Sequence, residues 1–167
     1  MITIRPATED DADAIARIYS IGIAERTATF DTDPRTAADI LPKIADAARY
    51  PQVVAVTPDG AVVGWAGTSG YRPRACYAGI AEFSIYIDPV ARGQGIGKPL
   101  LNGLIEAAAA AGFWKILSRI FTFNAPSRAL CAACGFREVG IYENHGKLDG
   151  RWLDVVIVER LLPQNLT

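Results

Sequence analysis

The sequence is short of the residues that build metal and redox sites: its 167 residues include one histidine, three cysteines and one methionine. With His145 alone beside Cys76, Cys131 and Cys134, a tetrahedral zinc set lacks ligands, and no metal is expected. Cys131 and Cys134 form a C-x-x-C, but a redox pair sits where a strand enters a helix, whereas these fall near the end of a short helix; small core residues are the better reading. An odd cysteine count, with no basic flank and apolar core after Met1, predicts a reduced cytoplasmic setting. Long apolar runs are missing too. Glu106, Lys115, Arg119, Asp154, Glu159 and Arg160 interrupt the most hydrophobic stretches well before the ~20 residues a membrane helix needs. Nor is there a basic excess: 17 Lys and Arg against 18 Asp and Glu leave a net charge of −1, which disfavours a nucleic-acid partner. No G-x-S-x-G occurs, so a serine-hydrolase site is not expected.

What is present is ordinary globular material, 50% hydrophobic and 21% charged, of a length for one domain spanning residues 1–167. Ile2-Thr3-Ile4-Arg5 alternates as a first strand. Thr8 offers an N-cap, and Ala12, Ile15, Ile18 and Tyr19 follow at helical spacing. A second helix is predicted from Thr36 towards Ala48, with Pro42 bending it or lying near its start. The period then changes. Val53–Val56, a Pro58-Asp59-Gly60 turn and Ala61–Ala66 predict a hairpin. A strand over 81–87 leads into a glycine-rich turn and a helix that stops at Gly112. Further elements are a strand over 115–123, a short helix over 127–134 and strands over 136–142 and 152–160. The order β-α-α-β-β-β-α-β-α-β-β points to α/β layer packing.

The turn Arg92-Gly93-Gln94-Gly95-Ile96-Gly97 before Lys98 is the most informative stretch. A strand, three glycines and a helix start together expose backbone N–H groups at the positive end of a helix dipole, which suits a diphosphate. A P-loop is excluded, because Gly93 to Gly97 is one residue too short and Pro99 replaces the magnesium-binding hydroxyl. A dinucleotide fingerprint is weak: Lys98 stands at its third glycine, and 118–123 contains no acid. The pattern [RQ]-x-x-G-x-[GA] is met by Arg92, Gly95 and Gly97, with a plain helix-capping turn as the alternative.

On these residues the chain resembles the GCN5-related N-acetyltransferase (GNAT) superfamily, with Asn124-Ala125-Pro126-Ser127, Leu130 and Gly135-Phe136 similar to its second cofactor segment. Ile4-Arg5-Pro6-Ala7, Thr29-Phe30, Arg72 and Arg74 ahead of Tyr77, Ala81-Glu82 and Gly150 through Val155 resemble the branch that acetylates phosphinothricin, methionine sulfoximine or arsinothricin. The resemblance implies an α/β (α+β) fold with a mixed, mostly antiparallel central sheet, helices on both faces, and splayed strands that form an acetyl-CoA cleft. It assigns Ile85, Tyr86, Ile87, Arg92, Gly93, Gln94, Gly95, Ile96, Gly97, Lys98, Asn124 and Ser127 to acetyl-CoA. Glu82 becomes the base, acting through water, and Phe30, Arg72 and Arg74 join it around a small amino-acid acceptor. Acetylation of that acceptor would serve detoxification.

Each assignment has a plainer counterpart. Glu82 is otherwise a strand carboxylate or a salt-bridge partner, and Asn124 and Ser127 serve equally as helix caps. Arg72 and Arg74 could be solvated surface, and Phe30 a loop anchor. Tyr86 and Tyr142 are chemically suited to protonate the departing thiolate, and that role stays unassigned. His145 reads as a loop residue, and Asp149 stands where relatives can carry a histidine. A peptide or ribosomal-protein N-terminus and a polyamine are alternative acceptors. A non-catalytic acyl-CoA sensor is the alternative class. The apolar segment from Trp152 to Leu162, with the habit of the branch, predicts a homodimer.

Overall fold

The computed structural model describes residues 1–167. Seven strands and four α-helices follow one another as β1 (Thr3–Pro6), α1 (Ala12–Ala24), α2 (Ala37–Ala45), β2 (Gln52–Val56), β3 (Val62–Gly70), β4 (Ile80–Ile87), α3 (Gly97–Ala110), β5 (Lys115–Phe121), α4 (Ala125–Ala133), β6 (Arg137–Leu148) and β7 (Arg151–Leu161). This is the order that the hydrophobic periods predict. The strands form one sheet, β1-β2-β3-β4-β5-β7-β6. Every pairing is antiparallel except β4 with β5. That exception follows from α3, since parallel neighbours need a long crossover.

Helices cover both faces. Val53 and Ala55 of β2 enter the larger core with Leu100, Leu101 and Leu104 of α3, whereas Val54 and Val56 enter a second core with Ile15 of α1 and Ile40 of α2. The two-residue period thus splits one strand between two layers, and a sheet sandwiched this way needs β2 buried along its length.

The chain enters α1 through a 3-10 turn, Glu9–Asp11, rather than directly at Thr8. The buried Asp11 accepts from Arg5 (2.7 and 2.9 Å) and from the Thr8 N–H (2.7 Å), and the Arg5 contact holds its carboxyl below the usual carboxylate range. Pro42 lies inside α2. β5 ends at Phe121, because Asn124 caps α4: its side-chain oxygen accepts from the Ser127 N–H (3.2 Å), so the cap is Asn124 and not Ser127.

The largest departure is β6, which runs six residues past Tyr142 to Leu148. Tyr142 faces Val155 and Gly146 faces Leu153, so a bulge takes up the extra residues, with Asn144 at φ 48° and its N–H on Asp154 Oδ1 (2.7 Å). The bulge breaks the alternation that reveals a strand. His145 is therefore a strand residue, not a loop residue. Asp149 (φ 49°) and Gly150 (φ 78°) then close a two-residue hairpin turn, and Asp149 pairs with Arg26 at 2.9 Å. No helix is long and apolar enough to cross a membrane.

Candidate active site

β4 pairs with β5 only at Ile80–Lys115, Ala81–Ile116 and Glu82–Leu117. Past Glu82 the strands part, and the Ser118 hydroxyl donates to the Phe83 carbonyl (2.9 Å) at the point of divergence. On its other side β4 stays in register with β3 as far as Ile87 opposite Gly64. In a strand, successive residues turn their N–H and C=O groups to opposite edges. Since the Phe83 carbonyl faces β5, Ile85 and Ile87 turn theirs into the gap, while the Asp88 N–H donates back to Val63 of β3 (2.9 Å). Their side chains pack on the α3 core, so the backbone is what they offer the gap.

The gap runs into the glycine turn. None of the six N–H groups from Gly93 to Lys98 donates to an acceptor in the chain, and Pro99 has none. Gly93 (φ 75°) and Gly95 (φ 76°) hold the turn in a left-handed course, and a Cβ at either would project into open space. The Arg92 side chain fixes the turn rather than standing free beside it. Its guanidinium grips Glu25 at the end of α1 (2.6 and 2.7 Å), and its Nε donates to the Ile87 carbonyl (3.2 Å). The Gln94 amide similarly turns back to the Val90 carbonyl (3.2 Å). Ile96 is buried and Lys98 makes no ion pair. Six open donors at the start of α3 suit a diphosphate, and the bare β4 edge suits an extended chain carrying amides, so this region fits coenzyme A.

Side chains at alternate β4 positions point the other way. Ala81 and Phe83 enter the α3 core, leaving Glu82, Ser84 and Tyr86 on the α1 side. There they line a cavity of about 520 Å³ with Phe30, Arg119 and His145. Phe30 packs edge-on against Phe121 (4.9 Å between centroids), which fixes it as a wall. Arg119 Nη2 donates to Glu82 Oε1 at 2.5 Å. Tyr86 stacks on Tyr19 (4.9 Å) and Trp65 (5.9 Å), and burial pushes its phenol up. Tyr19, likewise half-buried and donating to Asp31 (2.8 Å), is pushed up to about 12. Tyr142, the other phenol considered, is half exposed on β6 and does not line the cavity. Asn124 and Ser127 reach the rim, but the Asn124 side chain is occupied by its cap and by the Thr27 carbonyl (3.0 Å). Cys131 lies on the floor, where burial raises its thiol to about 12, the behaviour of a core cysteine.

Arg72 and Arg74 are not brought to this cavity. The chain leaves β3 at Gly70 and turns through Pro73 into the short Ala75–Tyr77 helix, with Arg72 over the Tyr71 ring (5.2 Å) and Arg74 over Tyr77 (5.8 Å). Both arginines, with Arg49, line a separate hollow of about 290 Å³ that has no acidic residue in its wall.

The Acetyltransferase (GNAT) domain model matches residues 1–137. The chain belongs to the GNAT acetyltransferase family. Two curated relatives of this acetyltransferase are similar over nearly its full length. A phosphinothricin N-acetyltransferase of Alcaligenes faecalis is 35% identical over 96% of this chain and 82% of the relative. An L-methionine sulfoximine/L-methionine sulfone acetyltransferase of Pseudomonas aeruginosa is 33% identical over 94% of this chain and 92% of the relative. Among solved structures, a GNAT superfamily phosphinothricin acetyltransferase from Sinorhizobium meliloti in complex with AcCoA superposes with a TM-score of 0.89. It shares 36% identity over 96% of this chain and 88% of that one.

Of the cavity residues that the sequence did not single out, Arg119 and His145 bear most on its chemistry. Arg119 looks like any polar position on a strand, and only the register of β4 against β5 sets it beside Glu82. His145 is masked by the bulge before it.

Proposed function

We propose that this GNAT enzyme transfers the acetyl group of acetyl-CoA to the α-amino group of a glutamate-like amino acid of the phosphinothricin, methionine sulfoximine or arsinothricin type. Such acetylation would be a cytoplasmic detoxification. The observation that carries the reading is the split at Glu82, where β4 parts from β5 beside a cavity lined by both strands and the open β4 edge leads on towards the N–H cradle. The donor's amides lie along Ile85 and Ile87, and its diphosphate sits on the N–H groups of Gly93 to Lys98. Bound there, acetyl-CoA supplies an activated acyl carbon. Glu82 holds a water that relays one proton from the acceptor's ammonium to solvent; the freed amine attacks the thioester carbon, the C–S bond breaks, and the second nitrogen proton goes to the departing thiolate, while Phe30 walls the acceptor's methylene chain. Burial keeps the Tyr86 phenol well above an ordinary thiol's pKa of ~8.5, so it steadies the departing sulfur with a hydrogen bond rather than surrendering its proton.

The names of the two relatives support this acceptor class, and so do three arginines without acidic residues in the wall of a second hollow. Ser69 faces Glu82 and Gly70 faces Ala81 across the hairpin, and Arg72 follows two residues later. An acceptor with its amine at Glu82 and an acid at its far end directs that acid to the arginine hollow. Thiol release from acetyl-CoA in the presence of phosphinothricin, methionine sulfoximine, arsinothricin, a polyamine and a short peptide tests the function. The first three should be turned over in preference to the others, and a polyamine or peptide as the best acceptor would reverse the assignment. Arg74→Lys loses the planar fork and should raise the KM of the preferred amino acid by ~10-fold while the KM of acetyl-CoA stays put. Equal effects on the two KM values would make Arg74 ordinary surface charge.

Pairing of two copies belongs to the same proposal. β6 is a sheet edge with Val139, Ile141 and Tyr142 exposed, and Trp152 of β7 is exposed beside it. Sedimentation equilibrium at micromolar concentration should give twice the chain mass; the mass of one chain would remove the dimer.

A further inference from the structure

We infer that Arg119 binds the acceptor's α-carboxylate, which makes it the residue that selects α-amino acids over simple amines. The inference rests on the acceptor site proposed above. Among the residues lining the Glu82 cavity, Arg119 is the sole lysine or arginine. Its guanidinium is half exposed and spends one Nη2 donor on Glu82 Oε1, leaving the rest of its five N–H groups without protein partners. The other charged groups of the wall are occupied or remote from it. Asp31 accepts from Tyr19 (2.8 Å) and faces Arg35 (3.2 Å), and the His145 ring stacks on Tyr142 (4.6 Å).

An α-amino acid at neutral pH carries an ammonium and a carboxylate on one carbon. Glu82 and Arg119, 2.5 Å apart on two diverging strands, present the complementary pair of charges. The ammonium meets Glu82 and its water while the carboxylate takes the free donors of Arg119, in a geometry that suits a planar fork. Because the carboxylate takes the unused donors, the Nη2 bond to Glu82 stays in place as the zwitterion enters. With the carboxylate held at Arg119, the recognition does not call on the Arg72–Arg74 hollow, which shares no lining residue with this cavity.

The test compares L-methionine sulfoximine with the amine it would give on decarboxylation, at saturating acetyl-CoA, for the wild type, Arg119→Met and Arg119→Lys. The wild type should prefer the amino acid. Arg119→Met should shrink the KM ratio between the two acceptors by at least ~10-fold, and Arg119→Lys should restore part of it. An Arg119→Met enzyme with the wild-type KM ratio overturns the inference; a fall in kcat shared equally by both acceptors beside that unchanged ratio would leave Arg119 only positioning Glu82. A wild type that acetylates neither acceptor overturns the proposed function and this assignment with it. One that acetylates both, with a ratio indifferent to Arg119, overturns the assignment alone.

Discussion

Glu82→Gln should lower acetyl transfer at neutral pH by at least ~10²-fold while leaving the affinity for coenzyme A, measured by titration calorimetry, at its wild-type value. An amine with a pKa of ~8–10 arrives at neutral pH as an ammonium without a lone pair, so transfer needs a proton acceptor at the nitrogen. An ordinary carboxylate, near ~4.3, is too weak a base to take that proton directly and efficiently. It can orient a water that relays the proton on to solvent, and for this it needs to be charged and fixed. Glu82 meets the second condition through Arg119, which holds one carboxylate oxygen at 2.5 Å. Glutamine keeps the size of the side chain and an oxygen for Arg119 but loses the charge, so the fold and the donor cradle are untouched while the water loses its anchor. Wild-type turnover in the variant would remove Glu82 from the mechanism and leave it a salt-bridge partner.

How much of this site could be read in the sequence depends on how far apart its parts lie along the chain. The cradle is local: strand, Arg92-Gly93-Gln94-Gly95-Ile96-Gly97 and helix start are contiguous, and the unpaired N–H groups follow from the glycines and the absence of a side-chain cap. β2 and the first half of β3 were equally legible because burial on both faces makes their residues apolar, whereas the polar and glycine-rich Gly67-Thr68-Ser69-Gly70 hid the rest of β3 beyond the predicted end at Ala66. The acceptor side is not local. Glu82 and Arg119 lie 37 residues apart and meet only because α3 returns the chain parallel to β4 and the strands then diverge. Arg72 and Arg74 show that nearness along the chain is no guide either. They stand close before Glu82 in sequence, yet the turn at Pro73 carries them to the neighbouring hollow. At Asn124 and Ser127 the residue types were informative, with a cap open to either, and the structure gives it to Asn124, since α4 starts at Ala125 and the cap must precede it.

The second large effect concerns the cradle, where Gly95→Val should weaken coenzyme A binding by at least ~10²-fold, about 2.7 kcal/mol. At φ 76° a β-branched residue is strained by roughly 1–3 kcal/mol, and relief of that strain rotates the peptide planes that aim the N–H groups. The added carbons also project into open space, the space a diphosphate must enter to reach those donors. Strain alone would lower stability without touching affinity, and a second glycine separates the two causes. Gly112, after the far end of α3, has φ 95° and likewise nothing within 4 Å of a Cβ. Gly112→Val therefore carries comparable backbone strain at a position remote from the cradle. Both variants should melt earlier than the wild type, by roughly 5 °C, because ~1–2 kcal/mol at this chain length moves Tm by that order. Only Gly95→Val should lose the calorimetric heat of coenzyme binding. If both variants bound coenzyme A as the wild type does, the open N–H groups would be a solvent-facing helix start and the donor would lie elsewhere. If both lost it alike, global strain rather than the cradle would be the cause.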